Sequence, residues 1–418
     1  MRIRNFKQLA TSPASRAALR ILEAGLDAIN PEKALRALVK VHGNTLIVGG
    51  KRFPLKGKLY VVGAGKASGV MASVLEKILG NRIAQGLVID VTARTLKRIT
   101  VVKGDHPVLS ERNVRTTLNI KRLADEAGID DIVLCLISGG GSALLADPWV
   151  SLKDYQNLMH KLLRSGADIH ELNTVRKHID SIKGGRLAMH CFPATVISLL
   201  VSDVPGNDPA FIASGPTVRD TTTNRDAIRI LKKYRIKDGA AAETPKDARF
   251  FRNVHNVMAL DNTKAVNAMA AEARNMGLRP RIVSTKIAGE ARETGVKLLN
   301  KLTGKKSVVI AAGETTVTVT GHGKGGRNQE VVLGALHLLS RMPGCALASM
   351  GTDGIDNTPA AGAIADDKTL ALERKKGLRC TRALENNDSY PFFKKLGKLI
   401  ITGPTGTNVS DVMVAVRF

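Results

Sequence analysis

The chain has 418 residues, of which 44% are hydrophobic and 24% charged, and its formal net charge is +26 at neutral pH. This length is enough for two domains with their own cores, and no apolar run approaches the ~20 residues that cross a bilayer, so we expect no membrane span. Lysine and arginine are spread along the whole chain and aromatic residues make up only 3%, which argues against nucleic-acid binding, because that function needs a basic stripe with stacking aromatic residues.

The cysteines and the first residues indicate the cellular compartment. Four cysteines, Cys135, Cys191, Cys345 and Cys380, lie far apart and form no CxxC pair. This pattern predicts reduced thiols and argues against a zinc site. The N-terminal residues are basic but lack the apolar core of a secretory leader. We therefore expect a cytoplasmic protein.

Helical and strand patterns alternate through the first half of the chain. Ser12 and Pro13 are typical of a helix start, and the spacing predicts a helix over 17–29, another over 31–39 and a short hairpin over 45–54. Strands are predicted at 58–62, 86–91, 100–103, 132–137 and 194–201, with helices at 70–79, 110–127, 155–165 and 171–181. Alternation of this kind predicts a doubly wound α/β domain, which binds ligands beyond the carboxyl ends of its strands.

A polar segment over 217–246 marks the predicted domain boundary, which we place between residues 235 and 236. Beyond it we predict a smaller α/β domain, with strands at 256–260, 281–284, 307–312, 315–320, 346–350, 399–401 and 412–416 and helices at 264–276, 289–299 and 329–340. A hairpin over 307–320 predicts a mixed sheet. An alternative has the last strand returning toward the N-terminal domain.

The strongest candidate for a binding loop follows the apolar strand at 132–137. It consists of Ser138, Gly139, Gly140, Gly141 and Ser142. Glycines let backbone N–H groups approach a ligand closely, so a glycine turn between a strand and a helix is a cradle for phosphate. A tight turn without a ligand is the alternative.

A second glycine loop, with Gly63, Gly65 and Lys66, follows the strand at 58–62. Its GxGxxxG spacing is a variant of the dinucleotide fingerprint, and Asp90 lies about 20 residues further on, so a nicotinamide cofactor stays open. Lys66 favours a phosphate oxygen instead, because it stands in a glycine loop at a helix start.

Further polar residues cluster after strands or on one helix face. His106 follows a strand, and Asn173 and Arg176 lie about one helical turn apart. Lys183 is followed by two glycines, which suggests an anion site at the end of that helix. A solvated charged face is the alternative. Asp203 follows the strand at 194–201, where α/β enzymes place a metal ligand or a base.

The second half offers a basic glycine loop and an acidic loop. Lys324, Gly325, Gly326 and Arg327 stand before a predicted helix, and an arginine there suits phosphoryl transfer better than hydride transfer. Asp353 and Asp356 lie three residues apart, as a Mg²⁺ site of carboxylates and substrate phosphates allows. A polar turn is the alternative.

Nine motifs in order give the chain a family resemblance: GAGKAS (63–68), DHPV (105–108), SGGGSALL (138–145), NTVRKHIDSIKGG (173–185), SDVPGNDPAFIASGPT (202–217), GETTVTV (313–319), GKGGRNQE (323–330), GTDGID (351–356) and TGPTGTNVSD (402–411). Together they resemble the glycerate 2-kinases of the MOFRL type over nearly the whole chain. The resemblance implies transfer of phosphate from ATP, with Mg²⁺, to the 2-hydroxyl of D-glycerate. It also implies a Rossmann-like N-terminal domain, a smaller α/β domain and an active site in the cleft between them.

The resemblance also implies roles for residues. Lys66 and Arg327 match catalytic cations, Asp203 an acidic position of the active site, and residues 138–142 the nucleotide phosphate site. His106, Asn173, Arg176 and Asn262 match further positions for substrate. The family usually has glycine after the second aspartate of GTDGID, where this chain has Asn357, which weakens Asp356 as a metal ligand and affects Asp353 less. The main rival is an NAD(P)-dependent hydroxypyruvate reductase, and a homodimer stays open.

Overall fold

The computed structural model describes residues 1–236 and 241–418, and they form two compact units. One unit contains Pro31–Leu260, and the other combines Met1–Asn30 with Asp261–Phe418. This division differs from the predicted boundary at 235 and 236, because the first 30 residues belong with the C-terminal half and a further strand belongs with the N-terminal half. No helix of the described residues is long and apolar enough to cross a membrane.

The elements alternate as the sequence pattern predicts. The helices are α1 Phe6–Leu9, α2 Pro13–Ala28, α3 Pro31–Leu38, α4 Ser68–Leu79, α5 Glu111–Asp125, α6 Gly141–Leu144, α7 Leu152–Arg164, α8 Ile169–His178, α9 Arg186–Cys191, α10 Asn224–Lys233, α11 Asn262–Asn275, α12 Ala291–Leu299, α13 Arg327–Gly334, α14 Leu336–Leu339, α15 Thr369–Lys375, α16 Cys380–Glu385 and α17 Ser389–Leu396. The strands are β1 Val39–His42, β2 Thr45–Val48, β3 Lys51–Pro54, β4 Leu59–Ala64, β5 Ile83–Asp90, β6 Ile99–Lys103, β7 Ile132–Ile137, β8 Thr195–Val201, β9 Val254–Leu260, β10 Arg279–Ile287, β11 Ser307–Gly313, β12 Cys345–Gly351, β13 Gly362–Asp366, β14 Leu399–Ile400 and β15 Asp411–Arg417.

A six-stranded parallel sheet is the core of the unit that contains residues 31–260. Its order is β6-β5-β4-β7-β8-β9. All residues of β4 and β7 are buried, as expected for strands covered on both faces. The order reverses between β4 and β7, which makes this pair the topological switch point of a Rossmann-like sheet. The predicted doubly wound fold is confirmed.

The other unit contains a six-stranded mixed sheet of order β10-β11-β15-β12-β13-β14. Strands β10 and β11 are parallel, and β15 is antiparallel to both β11 and β12. The predicted mixed sheet is confirmed, but the predicted hairpin over 307–320 is wrong. Both edges of β11 are already paired, and the segment after it contributes only an isolated bridge from Thr316 to Glu290. Because β15 lies inside this sheet, it does not return to the parallel sheet as the alternative proposed.

Helix α2 explains why the first residues belong to this unit. Ser12 caps the helix, with a reciprocal hydrogen bond to Ser15, and Pro13 occupies its first turn, as the sequence predicts. Leu19, Leu22 and other apolar residues on one face are fully buried, and α2 packs against α11, β12 and β15. Burial of this face gives the N-terminal segment its place on the mixed sheet.

Candidate active site

The loops after β4 and β7 meet at the switch point of the parallel sheet. The Lys66 backbone N–H donates to the Gly139 carbonyl at 2.9 Å, and the Ala67 N–H donates to the Ser138 hydroxyl oxygen at 3.0 Å. The Ser68 and Ser138 hydroxyls are also 3.0 Å apart. The two glycine loops that the sequence singled out therefore form one structure at the position where doubly wound sheets bind ligands.

Lys66, His106 and Asp203 surround the glycines of the loop over 138–142. A Cβ atom at Gly140 would lie 3.1 Å from His106 Nε2 and 3.2 Å from Lys66 Cγ, and one at Gly139 would lie 1.9 Å from Asp203 Oδ2. Only glycine fits here, because the three side chains already fill the space. Three residues predicted from separate motifs are thus brought together.

The charges of this cluster suit an anion. Lys66 forms no ion pair among residues 1–236 and 241–418, so its ammonium is not neutralised by a carboxylate. Burial, and then the nearby Lys66, lower the pKa of His106 to about 4. His106 is therefore neutral at physiological pH and acts as a hydrogen-bonding group, while Lys66 carries the positive charge.

Asn173 connects helix α8 to this cluster through a serine. The Ser214 hydroxyl donates to Asn173 Oδ1 at 2.7 Å and lies 3.1 Å from the Ser142 hydroxyl. Arg176, one turn further along α8, lies near Tyr155. Its Nε atom is buried and has no partner in the described structure. An unpartnered buried donor of this kind is a candidate for binding a ligand.

Lys183 does not provide the anion site that the sequence suggested. Its side chain is fully buried, its Nζ lies 3.6 Å from Asp180 Oδ2 and it donates to the Leu145 carbonyl at the end of α6. Burial lowers the pKa of Lys183, whereas Asp180 acts to raise it. The lysine therefore holds the helix of the glycine loop in place and is not available to a ligand.

Asp90 has a structural role that weighs against a nicotinamide cofactor. Its carboxylate accepts the Gly69 N–H in the first turn of α4 at 2.7 Å and the Thr92 N–H at 3.2 Å. Only 1% of the residue is exposed. In dinucleotide-binding domains the acid at this spacing binds the ribose, and here it is engaged by the protein itself.

Arg327 lies in the other unit and is held by two carboxylates. Its Nε and Nη2 donate to the two carboxylate oxygens of Asp411 at 2.6 and 3.1 Å, and its Nη1 is paired with Glu314. Burial acts to lower the pKa of Arg327, but Asp411 and Glu314 outweigh it and raise that pKa. Burial raises the pKa of Asp411 to about 7, against the lowering effect of Arg327.

The glycine loop before Arg327 is packed closely against its own unit. The Lys324 N–H donates to Asp388 Oδ1 at 2.8 Å. A Cβ atom at Gly325 would lie 2.1 Å from the Ser389 hydroxyl oxygen, and one at Gly326 would lie 2.2 Å from Asp356 Cγ. Close packing accounts for both glycines, so the predicted role of Lys324, Gly325 and Gly326 in binding nucleotide stays a prediction.

Burial and hydrogen-bond partners differ among three further candidates, Asp356, Asp353 and Asn262. Asp356 is buried and accepts N–H groups from Asn328 and Gln329 at the start of α13, at 3.1 and 3.0 Å. Asp353 is half-buried and accepts the Ile355 N–H at 3.0 Å. Asn262 donates to the Ser410 hydroxyl at 3.1 Å, and its Oδ1 is buried without a partner in the described structure.

The sequence analysis missed three residues that contact predicted site residues within their own units: Ser214, Glu314 and Asp411. Each lies inside a motif that the analysis quoted, and Glu314 and Asp411 stand directly at the end of β11 and the start of β15. Their position beside a strand end was the signal in the sequence that could have identified Glu314 and Asp411. Their roles depend on contacts with Asn173 and Arg327, which are distant in sequence.

Known proteins match both halves of the chain. The model of a domain of unknown function, DUF4147, matches residues 17–249, and that of the MOFRL family matches residues 307–411. A glycerate 2-kinase from Pyrococcus horikoshii is 38% identical, with 95% of this chain and 96% of that protein covered. The chain belongs to the MOFRL-type glycerate 2-kinase family.

Further relatives and a solved structure are similar to this chain over most of its length. A D-glycerate 2-kinase from Thermotoga maritima is 37% identical, with 95% of this chain and 97% of that protein covered. The crystal structure of glycerate kinase from the same organism has a TM-score of 0.87 and 35% identity, and it covers 96% of this chain and 99% of its own. A relative from Agrobacterium vitis, 39% identical over 85% of this chain and 86% of its own length, carries the provisional name of a hydroxypyruvate reductase.

Proposed function

We propose that the protein transfers the γ-phosphoryl group of ATP to the 2-hydroxyl of D-glycerate, giving 2-phospho-D-glycerate and ADP. The observation that carries the proposal is the Lys66 cation beside the glycine loop at the switch point, without a carboxylate partner in the described structure. Phosphoryl transfer needs positive charge and N–H donors aimed at phosphate oxygens, and it needs little covalent chemistry from the protein.

The glycine loop is the proposed phosphate site. The Gly139 and Gly140 N–H groups donate to no acceptor in the part of the chain that the structure describes, so they are free to bind phosphate oxygens, as Lys66 is. These contacts gain strength as charge builds up on the transferring group. Asp203, beside Gly139, would orient the acceptor hydroxyl or remove its proton.

D-Glycerate would be held by the remaining polar side chains. Arg176 presents an Nε atom without a partner in the described structure, which suits a carboxylate. Asn173 and the neutral His106 offer hydrogen bonds to hydroxyl groups. Asn262, with its unpartnered buried Oδ1, is a further candidate for substrate. Arg327 is the second proposed cation, fixed in orientation by Asp411 and Glu314.

The side chains near the glycine loop fit a magnesium ion that is held in part by substrate phosphates. Among the described residues no group of three or more His, Cys, Asp or Glu side chains is placed to hold a metal ion. Mg²⁺ typically uses one or two carboxylates together with substrate phosphates, and the Asp203 carboxylate beside the proposed phosphate loop is compatible with that pattern. Asp203 would hold the ion, with Asp353 as the second candidate, and the ion would neutralise phosphate charge.

The cellular location and the oligomeric state stay predictions. A cytoplasmic location is compatible with four free, buried cysteines, since such thiols suit a reducing compartment. A homodimer stays a prediction.

The test is to identify the product. The protein is incubated with ATP, Mg²⁺ and D-glycerate, and the phosphorylated product is assigned by phosphorus NMR. We expect 2-phosphoglycerate. A parallel assay follows NADH and NADPH oxidation with hydroxypyruvate, and turnover there without any phosphorylated product would replace the kinase proposal by the reductase.

A further inference from the structure

Ser214 joins two parts of the proposed site. The residue is fully buried, and its hydroxyl donates to Asn173 Oδ1 at 2.7 Å on helix α8. The same hydroxyl lies 3.1 Å from that of Ser142 in the glycine loop. One serine side chain therefore connects a candidate substrate residue to the proposed phosphate site.

The backbone at Ser214 has a conformation that L-residues rarely adopt. The φ angles of Ala213, Ser214 and Gly215 are 50°, 61° and 61°, so three successive residues lie in the left-handed region. The Gly184 N–H donates to the Ser214 carbonyl at 3.0 Å and holds the segment. Strained segments persist where the surrounding structure fixes them, and they concentrate at functional sites.

The hydroxyl also decides which way the Asn173 amide faces. Asn173 Nδ2 donates to the Ile169 carbonyl at 2.9 Å, and its Oδ1 accepts from Ser214. With both amide atoms fixed, one N–H and one lone pair of Asn173 remain for a ligand. Without the Ser214 hydroxyl, the hydrogen bond to the Ile169 carbonyl is the remaining one of these two that holds the amide in this orientation.

We propose that Ser214 is a positioning residue for the kinase reaction: its strained backbone holds the hydroxyl that orients Asn173 relative to the glycine loop. The inference rests on the proposed function and goes beyond it, because it assigns substrate positioning to a residue that is not among the proposed phosphate or glycerate ligands. The inference also accounts for the left-handed segment over 213–215, because this backbone conformation places the hydroxyl between Asn173 on α8 and Ser142 on α6.

Two substitutions separate the hydroxyl from the backbone strain. Ser214→Ala removes the hydroxyl and keeps the strain, whereas Ser214→Gly removes the hydroxyl and relieves the strain. We expect both variants to raise KM for D-glycerate about tenfold, as loss of a buried hydrogen bond allows. KM for ATP should change less than about twofold, because Lys66 and the loop N–H groups remain.

Ser198→Ala is the matched control. Ser198 is an equally buried serine in β8 whose hydroxyl donates to that of Thr217 at 2.9 Å. This variant should lower the thermal midpoint without changing either KM. If Ser214 had a structural role alone, its variants would behave in the same way as Ser198→Ala, and that result would overturn the inference.

A double-mutant cycle tests whether Ser214 acts through Asn173. We expect Asn173→Ala to raise KM for D-glycerate, and Ser214→Ala to add nothing in that background. Additive effects, or a Ser214→Gly enzyme with the original KM for D-glycerate, would overturn the inference while leaving the kinase activity standing. A wild-type protein that forms no phosphorylated glycerate contradicts the proposed function and this inference with it.

Discussion

Lys66 and Arg327, the two predicted catalytic cations, have opposite electrostatic surroundings. Lys66 forms no ion pair in the described structure, while Arg327 is bound to Asp411 on two nitrogens and to Glu314 on a third. A free ammonium keeps its full charge for an anionic ligand, whereas a paired guanidinium is held still and partly neutralised. We therefore assign the larger share of phosphate binding to Lys66.

Replacing Lys66 tests that assignment. Lys66→Ala should lower kcat at least about 100-fold without changing the thermal midpoint, because the side chain stabilises charge that develops in the reaction. Lys58→Ala is the control, since Lys58 is exposed and directly precedes β4. Steady-state kinetics of both variants with ATP and D-glycerate supply the comparison, and an unchanged kcat in Lys66→Ala would remove Lys66 from the mechanism.

The raised pKa of Asp411 predicts a pH dependence of stability. Burial raises this pKa to about 7, so the folded state holds the proton more tightly than the unfolded chain does. The resulting stabilisation is complete below the unfolded pKa and is lost as pH rises through the folded pKa. Asp411→Asn should therefore lose less unfolding free energy between about pH 5 and about pH 8 than the wild type does. Urea titrations at both pH values measure this, and equal losses would contradict the assignment.

Sequence reasoning recognised residue types but not burial. Lys66 and Lys183 both stand beside glycine turns and were both assigned to anions. The structure leaves Lys66 for a ligand, whereas Lys183 is fully buried with Asp180. Local sequence does not distinguish the two, because the difference arises from how α6 and the segment after α8 pack together.

At the scale of elements, the order of the parallel strands was predictable, whereas the strand pairing within the mixed sheet was not. Each strand from β4 to β8 is separated from the next by its own helix or loop, so local patterns are enough to order them. Strand β15 pairs between β11 and β12, more than 50 residues from either, and no local pattern shows this. The chain over 315–320 has β-forming residues, but β15 already occupies the edge it would need.

Strand β13 and helices α15 to α17 were not predicted at all. Strand β13 consists of Gly362, three small or aliphatic residues and Asp366, a composition with low strand propensity. A Cβ atom at Gly362 would lie 2.0 Å from the Ser349 carbonyl oxygen. Close approach to β12, rather than propensity, therefore explains the strand.

The packing of α2 against the mixed sheet predicts that a substitution on its buried face lowers the unfolding free energy. Leu22 is fully buried on the face that packs against α11 and the mixed sheet. Leu22→Ala should lower the unfolding free energy by about 2–5 kcal/mol. Leu118→Ala, on α5 and 36% exposed, should change it by less than about 1 kcal/mol. Urea unfolding measures both, and equal effects would contradict the packing of α2.

At the scale of the whole molecule, the net charge of +26 predicts a salt effect. ATP and D-glycerate are anions, and a positive field increases the rate at which they are captured. Raising the ionic strength from about 10 to about 150 mM should lower kcat/KM while leaving kcat unchanged, because salt screens long-range attraction. Initial rates at limiting substrate measure this, and a kcat/KM that does not respond to salt would show that the charge has no part in capture.

Family membership and the geometry of the glycine loop both lead to one reaction. The most direct measurement is the position of the phosphate on the product formed from ATP, Mg²⁺ and D-glycerate, assigned by phosphorus NMR. The account predicts 2-phosphoglycerate, with ADP formed in equal amount and the same product formed at least about 100-fold more slowly by the Lys66→Ala protein. Formation of 3-phosphoglycerate, or NADH oxidation with no phosphorylated product, would contradict it.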